Sequence, residues 1–228
     1  MSKSKALVLF DIDGTLMRGA GQHHRQALIE GIRSVTGLST HLDGVPTSGM
    51  LDRDLIVNML RVGGYTQRRA QSALRQIMAE CQSAFVANCP TDLSSFVCVG
   101  VCDFLAELKR HDGVLGLVTG NLSQIGWKKL ELAGLREYFS IGAFAEDGRT
   151  RAHLARVAVQ RAKKRGLITK HCRIALIGDH GNDVQAAKAN GYVSIAVATG
   201  LTSIEVLRDA EPDYLVRDLT ELCLDDFL

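Results

Sequence analysis

Proline is scarce in this 228-residue chain, with three residues, and aromatic side chains make up only 5% of it, with a single tryptophan, Trp127. So few flat rings argue against a surface built to stack single-stranded bases. Formal net charge is +2, from 27 basic and 25 acidic side chains, too small an imbalance to attract nucleic acid or an anionic membrane by field alone. No apolar run approaches the roughly 18 residues that a membrane helix needs, and Ala6 to Phe10 is too short for the apolar part of a secretory leader. The chain is therefore expected in the cytoplasm, with neither nucleic acid nor membrane as partner. Six cysteines are present, but none forms a C-x-x-C, and Cys98 and Cys102 lack a histidine at zinc spacing. They read as reduced, mostly buried thiols. No G-x-G-x-x-G follows the first apolar run and no P-loop lysine motif occurs, which sets aside a dinucleotide or Walker-type site.

Hydrophobic residues at 46% and charged residues at 23% are the proportions of an ordinary globular protein, and the length lies between one domain and two. Short apolar runs at 5–10, 114–118, 173–177, 193–198 and 214–216 predict strands. Between them lie segments of helical length at 101–109, 122–133, 151–165 and 183–189. This β-α alternation predicts an α/β fold whose parallel sheet is covered on both faces. Residues 17–92 break the rhythm, with helical patterns at 25–35, 52–60 and 66–86 and no convincing strand. That stretch reads as a helical insertion, entered around Met17 to Gly21 and left through Pro90-Thr91-Asp92. The basic cluster Arg161, Lys163, Lys164, Arg165 reads as a solvated helix end.

The first predicted strand runs directly into Asp11-Ile12-Asp13-Gly14-Thr15, which sets two carboxylates at the carboxyl end of a buried strand, the edge where open α/β sheets hold ligands. The strand at 173–177 also ends in acids, within Gly178-Asp179-His180-Gly181-Asn182-Asp183, and parallel topology brings that loop to the same edge. Three or four carboxylates converging in a crevice need a cation or a shared proton. Hard oxygen donors without a cysteine or histidine cluster favour Mg²⁺, which commonly takes one or two carboxylates plus a phosphate. A small phosphorylated substrate follows. A third strand end, Thr119-Gly120-Asn121, offers a hydroxyl and open backbone N–H groups near a helix start, suitable for phosphate; in isolation a Thr at such a position is more often a simple helix cap.

Together the three strand ends resemble the haloacid dehalogenase (HAD) superfamily, whose motifs read D-x-D-G-T, a strand-terminal Thr or Ser, a basic residue, and G-D-x-x-x-D. The segment from Gly191 through Val193 to Gly200 is similar to the strand after the last acidic motif in phosphoglycolate-phosphatase-like members. The resemblance implies a Rossmann-like catalytic core at 1–16 and 93–228 with a helical cap domain at 17–92. It also implies that Asp11 is the nucleophile and that Asp13 is the acid and base. By the same resemblance, Mg²⁺ is held by the Asp11 carboxylate, the Asp13 carbonyl and Asp179, with Asp183 in support, while Thr119 and the Gly120 N–H bind phosphoryl oxygens. Asp13 speaks against carbon-halogen cleavage, since members with that activity typically lack it. The absence of lysine from residues 17–92 speaks against phosphonate cleavage by a cap Schiff base.

The third motif departs from the pattern of many relatives, because Pro46, Pro90 and Pro212 follow Val45, Cys89 and Glu211 rather than lysine. Helical phase offers a substitute. Lys129 falls within the stripe of Leu122, Ile125, Gly126, Leu130 and Ala133, whereas Lys128 points away. Lys129 is preferred as the basic residue, with Arg151, near the family's usual position, as the alternative. The segment Thr47-Ser48-Gly49-Met50-Leu51-Asp52-Arg53 resembles a cap segment that faces the active site. Asp52 and Arg53 are therefore candidate substrate contacts, Arg53 meeting a carboxylate or second phosphate, unless Asp52 merely caps the next helix and Arg53 is exposed. His23 and His24 read as surface residues at a helix start, and His180 as loop packing rather than a metal ligand. The expectation is a Mg²⁺-dependent phosphatase, monomeric or homodimeric. The alternatives are a phosphomutase of the same superfamily and a non-catalytic binder of a phosphorylated ligand.

Overall fold

Leu7, Val8, Leu9 and Phe10 are all shut away from solvent, because strand β1 (Ser4–Phe10) runs through the middle of a six-stranded parallel sheet. In this computed structural model, which describes residues 4–42, 47 and 49–227, the order is β3-β2-β1-β4-β5-β6. The other strands are β2 (Val114–Val118), β3 (Ile141–Ala143), β4 (Ile168–Gly178), β5 (Val193–Val197) and β6 (Tyr214–Val216). Residues 1–3 of the expected core, and Val45, Pro46 and Ser48 of the insertion, lie outside the described residues.

Alternate side chains of β1 enter different layers, as the two-residue period of a strand requires. Leu7 and Leu9 join a cluster with Leu154, Ala155 and Ala158 of α6 (Arg151–Lys164) and Ala186 and Ala187 of α7 (Gly181–Lys188). Val8 and Phe10 face Phe104, Leu105 and Leu108 of α4 (Val101–Arg110) and Leu130 of α5 (Ser123–Leu132). Each such side chain contributes roughly 1.5–3 kcal/mol by leaving water, which makes β1 the rigid support for whatever follows Phe10. β3 is a strand that the sequence reading does not name, since three residues carry too little periodicity to be seen. β4 begins five residues before the predicted run.

Residues 17–92 hold α1 (Gly21–Thr36), α2 (Asp52–Val62) and α3 (Gln67–Asn88), and no strand among the described residues. α3 starts where Thr66 accepts the Arg69 N–H, an ordinary N-cap. The segments that enter and leave this helical layer run side by side. The Arg18 N–H donates to Phe96 O at 2.8 Å and the Cys98 N–H to Leu16 O at 3.0 Å.

Candidate active site

Phe10 is in register with both Leu117 of β2 and Ile177 of β4, so the residues just beyond the three strands emerge abreast. The Asp11 N–H continues the ladder to Ile177 O at 3.0 Å. β1 is also where the strand order reverses direction, the place where a doubly wound sheet opens a crevice. Carboxylate oxygens of Asp11, Asp179 and Asp183 lie within 4.8 Å of one another there, all three residues buried. Gly14, at φ 96°, turns the chain back over Asp179, and a Cβ on it would collide with that carboxylate. Thr15 Oγ1 donates to Asp179 Oδ1 at 3.4 Å rather than closing a local turn.

Arg151, the first residue of α6, reaches into this group. Its Nη1 lies 2.9 Å from Asp11 Oδ1, 3.0 Å from Asp183 Oδ1 and 3.2 Å from Val118 O. Burial works against the charged guanidinium, but Asp11 and Asp183 outweigh it and hold the pKa above its ordinary value. One guanidinium does not balance three carboxylates. Burial first, and the Asp11 and Asp183 carboxylates next, push Asp179 up to about 8, and burial likewise raises Asp183. Asp183 Oδ1 has no hydrogen-bond partner despite its ion-pair distance from Arg151. An uncompensated set of hard oxygen donors with one orphaned atom fits a divalent cation of the Mg²⁺ type. The fit rests on that donor set.

Asp13 turns the other way. Its Oδ1 and Oδ2 lie 2.8 and 2.7 Å from Lys129 Nζ, and Asn121 Nδ2 donates to Oδ2 at 2.7 Å. Burial pulls the Asp13 pKa upward, but the Lys129 ammonium outweighs it and leaves it below the usual value. Its side chain keeps 40% of its surface open, whereas Lys129 has 0%. Lys129 Nζ also lies 2.8 Å from Asn121 Oδ1 and 3.1 Å from His24 Nδ1. An ammonium can only donate, so His24 Nδ1 must be the bare nitrogen and Nε2 must carry the proton. His24 Nε2–H then donates to Asp52 Oδ2 at 2.9 Å, and the same oxygen accepts the Leu122 N–H at 2.8 Å.

Helical phase thus places Lys129 inward and Lys128 outward, where Lys128 pairs with Glu131 at 2.8 Å. Lys129 meets Asp13, and Arg151, the alternative basic residue, is the one beside Asp11. Asp52 faces the site but does not cap its own helix. Arg53 is not brought to the cavity: its Nη1 donates to Gly148 O at 3.4 Å and its side chain is absent from the lining. One residue's turn of α2 separates it from Asp52. Thr119 is wholly buried beneath the surface, its Oγ1 accepting from Asn121 Nδ2 at 2.8 Å, while Gly120 and Asn121 line the cavity. His180 Nδ1 accepts the Asn182 N–H at 3.1 Å, a packing role. His24 is the residue that the sequence reading misplaces on the surface. Its position shares a stripe with the buried Ala27, Leu28, Gly31 and Ile32 of α1, a signal available from spacing alone.

The space above these groups is a cavity of about 650 Å³ lined from both layers, with Asp11, Asp13 and Asp179 below and Met17, Leu28 and Leu55 among the residues above. The segment before α2 closes down on the core. The Asp52 N–H donates to Gly120 O at 2.8 Å and Asn182 Nδ2 to Gly49 O at 2.9 Å. Gly120 has no Cβ, and one there would strike Met50 O.

A family model described as haloacid dehalogenase-like hydrolase matches residues 5–191. A protein named probable phosphatase IndB, from Dickeya dadantii, is 25% identical over 221 residues, covering 96% of this chain and 92% of its own. A phosphoglycolate phosphatase of Synechococcus elongatus is 29% identical over 54% of this chain and 56% of its own length, so the match reaches little more than half of that relative. Among solved structures, beta-phosphoglucomutase from Clostridium difficile superposes with a TM-score of 0.66 at 16% identity, over 97% of this chain and 94% of that one, a likeness of fold.

Proposed function

The chain belongs to the haloacid dehalogenase-like hydrolase family, and on that premise we propose that it is a Mg²⁺-dependent phosphoric monoester hydrolase acting on a small phosphorylated metabolite. The observation that carries the proposal is the division of labour between Asp11 and Asp13. Both line one cavity, yet one is held by Arg151 beside Asp179 and Asp183 and the other by Lys129 and Asn121. Residues 17–92 act as the cap domain that roofs the cavity, and residues up to 16 and from 93 onward as the core. Phosphatase names among the similar proteins support the reading.

In the first step an oxygen of Asp11 attacks phosphorus in line, the bond from phosphorus to the leaving oxygen breaks, and Asp13 delivers a proton to that oxygen. The Asp11 aspartyl-phosphate is then attacked at phosphorus by a water whose proton returns to Asp13, and inorganic phosphate leaves. The Gly120 N–H and the Thr119 hydroxyl are the donors assigned to phosphoryl oxygens, with Asn121 placing the Thr119 oxygen through its own N–H groups and Arg151 holding the Asp11 carboxylate. Asp11, Asp179, the Asp13 carbonyl and Asp183 are the groups that would hold Mg²⁺, which when bound neutralises charge on the phosphoryl group. Asp13 faces Lys129 and Asn121 with its side chain, which leaves only its carbonyl for the ion.

Release of inorganic phosphate from p-nitrophenyl phosphate, dependent on added Mg²⁺ and abolished by a chelator, tests the activity. A panel of sugar, acid and nucleotide phosphates then defines the substrate, and isomerised sugar phosphate in place of free phosphate would identify a mutase instead. No turnover across the whole panel would overturn the hydrolase reading in favour of a silent phospho-ligand binder.

A further inference from the structure

We infer that His24, oriented by Asp52, is a positioning residue that fixes Lys129 against Asp13 when residues 17–92 are seated on the core, so that proton transfer by Asp13 is coupled to closure. The inference rests on the reading of Asp13 as the group that protonates the leaving oxygen.

Lys129 Nζ has three N–H bonds to place and no access to solvent. The two Asp13 oxygens belong to one carboxylate and subtend too narrow an angle at Nζ to take an N–H each, so they share one, and Asn121 Oδ1 takes a second. His24 Nδ1 at 3.1 Å comes from α1, so the set is completed only from the helical layer. His24 is in turn held from its far side by Asp52 Oδ2. That oxygen also accepts the Leu122 N–H at the start of α5, the helix that carries Lys129. A separate observation points the same way: the Gln124 N–H of α5 donates to Gln82 Oε1 of α3 at 2.9 Å. Two of the unpaired amides at this helix start are therefore satisfied by residues that would depart with the helical layer.

An ammonium left with an unfilled N–H in a dry site must draw in water or swing toward another acceptor. Either response moves Asp13, whose carboxylate is placed by Lys129 and Asn121. Displacement of a proton donor by about 1 Å is enough to cost on the order of a hundredfold in rate. With the layer seated, the bidentate contact to both Asp13 oxygens and the Asn121 bond to one of them define a single orientation.

The test compares kcat/KM on two probes, p-nitrophenyl phosphate, whose leaving oxygen departs readily without a proton, and β-glycerol phosphate, whose alkoxide requires one. His24→Ala is expected to lower the glycerol-to-nitrophenyl ratio by at least about tenfold, within the span of general acid catalysis. His24→Asn, which restores an acceptor for Lys129, should recover most of it. Equal losses on both probes, or failure of His24→Asn to recover the ratio, would overturn the inference. Asp13→Asn is measured alongside. If that variant leaves the ratio unchanged, the reading of Asp13 as acid is wrong; if it skews the ratio and His24→Ala does not, the coupling alone is wrong. Should His24→Ala lose its native circular dichroism, Asp52→Asn is measured instead. It keeps an acceptor for the Leu122 N–H and is expected to give the same skew, and no skew there overturns the inference.

Discussion

The cavity has two sides, each built around one buried cation, and they are balanced differently. On the Arg151 side three carboxylates crowd one guanidinium, two of them with raised pKa values and one with an orphaned oxygen. On the Lys129 side the ammonium meets Asp13, Asn121 and His24, and Asp52 beyond them is met by a histidine N–H and a backbone N–H. The first side is under-compensated until a cation arrives, and the second is complete as it stands. Incompleteness marks where ligand chemistry is expected, and completeness marks where geometry is being held.

The largest effects should separate the two sides by chemistry. Asp11→Asn removes the nucleophile and should cut turnover by at least about 10³-fold on any phosphomonoester. Asp13→Asn should lower kcat/KM, which reports the steps up to aspartyl-phosphate formation, by that much only where the leaving oxygen needs a proton. Its kcat should fall on both esters, because Asp13 also takes the proton of the hydrolytic water. The kcat/KM values on an aryl and an alkyl ester check both, and an equal collapse of kcat/KM for the two variants on the aryl ester would erase the distinction. Stability should separate the sides next. Lys129→Met strips Asp13 and Asn121 of their partner, at about 2–3 kcal/mol, below the 3–5 of a fully buried pair because the cavity wets Asp13. Arg151→Met leaves three acids that a divalent cation can still compensate. Urea unfolding should show Mg²⁺ restoring much of the stability lost in Arg151→Met and little of that lost in Lys129→Met.

What the sequence makes legible follows the same division. Asp11, Asp13, Asp179 and Asp183 stand at the ends of buried apolar runs, so strand pattern and parallel topology together bring their loops to one edge. Lys129 is legible from helical phase because α5 is a regular helix with a clear stripe. Arg151 is not, since it sits at the first position of α6, where no preceding turn defines its direction. Arg53 is not placed by adjacency to Asp52, since neighbouring residues lie about 100° apart around a helix. β3 is hidden by its three-residue length. His24 had a usable signal, but a histidine just before the predicted helix at 25–35 reads as solvent-facing until the partner across the layer is known.

The acid-rich side should also give the stability of the metal-free protein a pH dependence. Asp179 and Asp183 have folded pKa values raised above the ordinary carboxylate value, to about 8 and about 7. The folded state therefore binds more protons than the unfolded state between about pH 4 and 8, and stability falls as pH rises through that window. Thermal unfolding from pH 5 to 8.5 without divalent metal should show a falling Tm, with Mg²⁺ stabilising more at the upper end, where it displaces fewer protons. A Tm that rises over the same interval in the metal-free protein would mean that Arg151 alone balances the acids.

The smallest effect concerns how the helical layer grips each side. It meets the Lys129 side through His24, through Asp52 on the Leu122 N–H and through Gln82 on the Gln124 N–H. Toward the Arg151 side it bonds through Gly49 O, which accepts from Asn182 Nδ2 at 2.9 Å, whereas the Arg53 contact with Gly148 O, in the loop that leads into α6, is long at 3.4 Å. Bonds of that length and alignment contribute little. Arg53→Ala is therefore expected to change kcat/KM by less than about threefold, a shift under 1 kcal/mol. It should do so equally for esters with and without a second anionic group, because the side chain is not on the cavity wall. A selective loss for the doubly anionic ester would return Arg53 to the substrate. It would also mean that the layer reaches the Arg151 side in an arrangement other than this one, in which Arg53 faces Gly148 O.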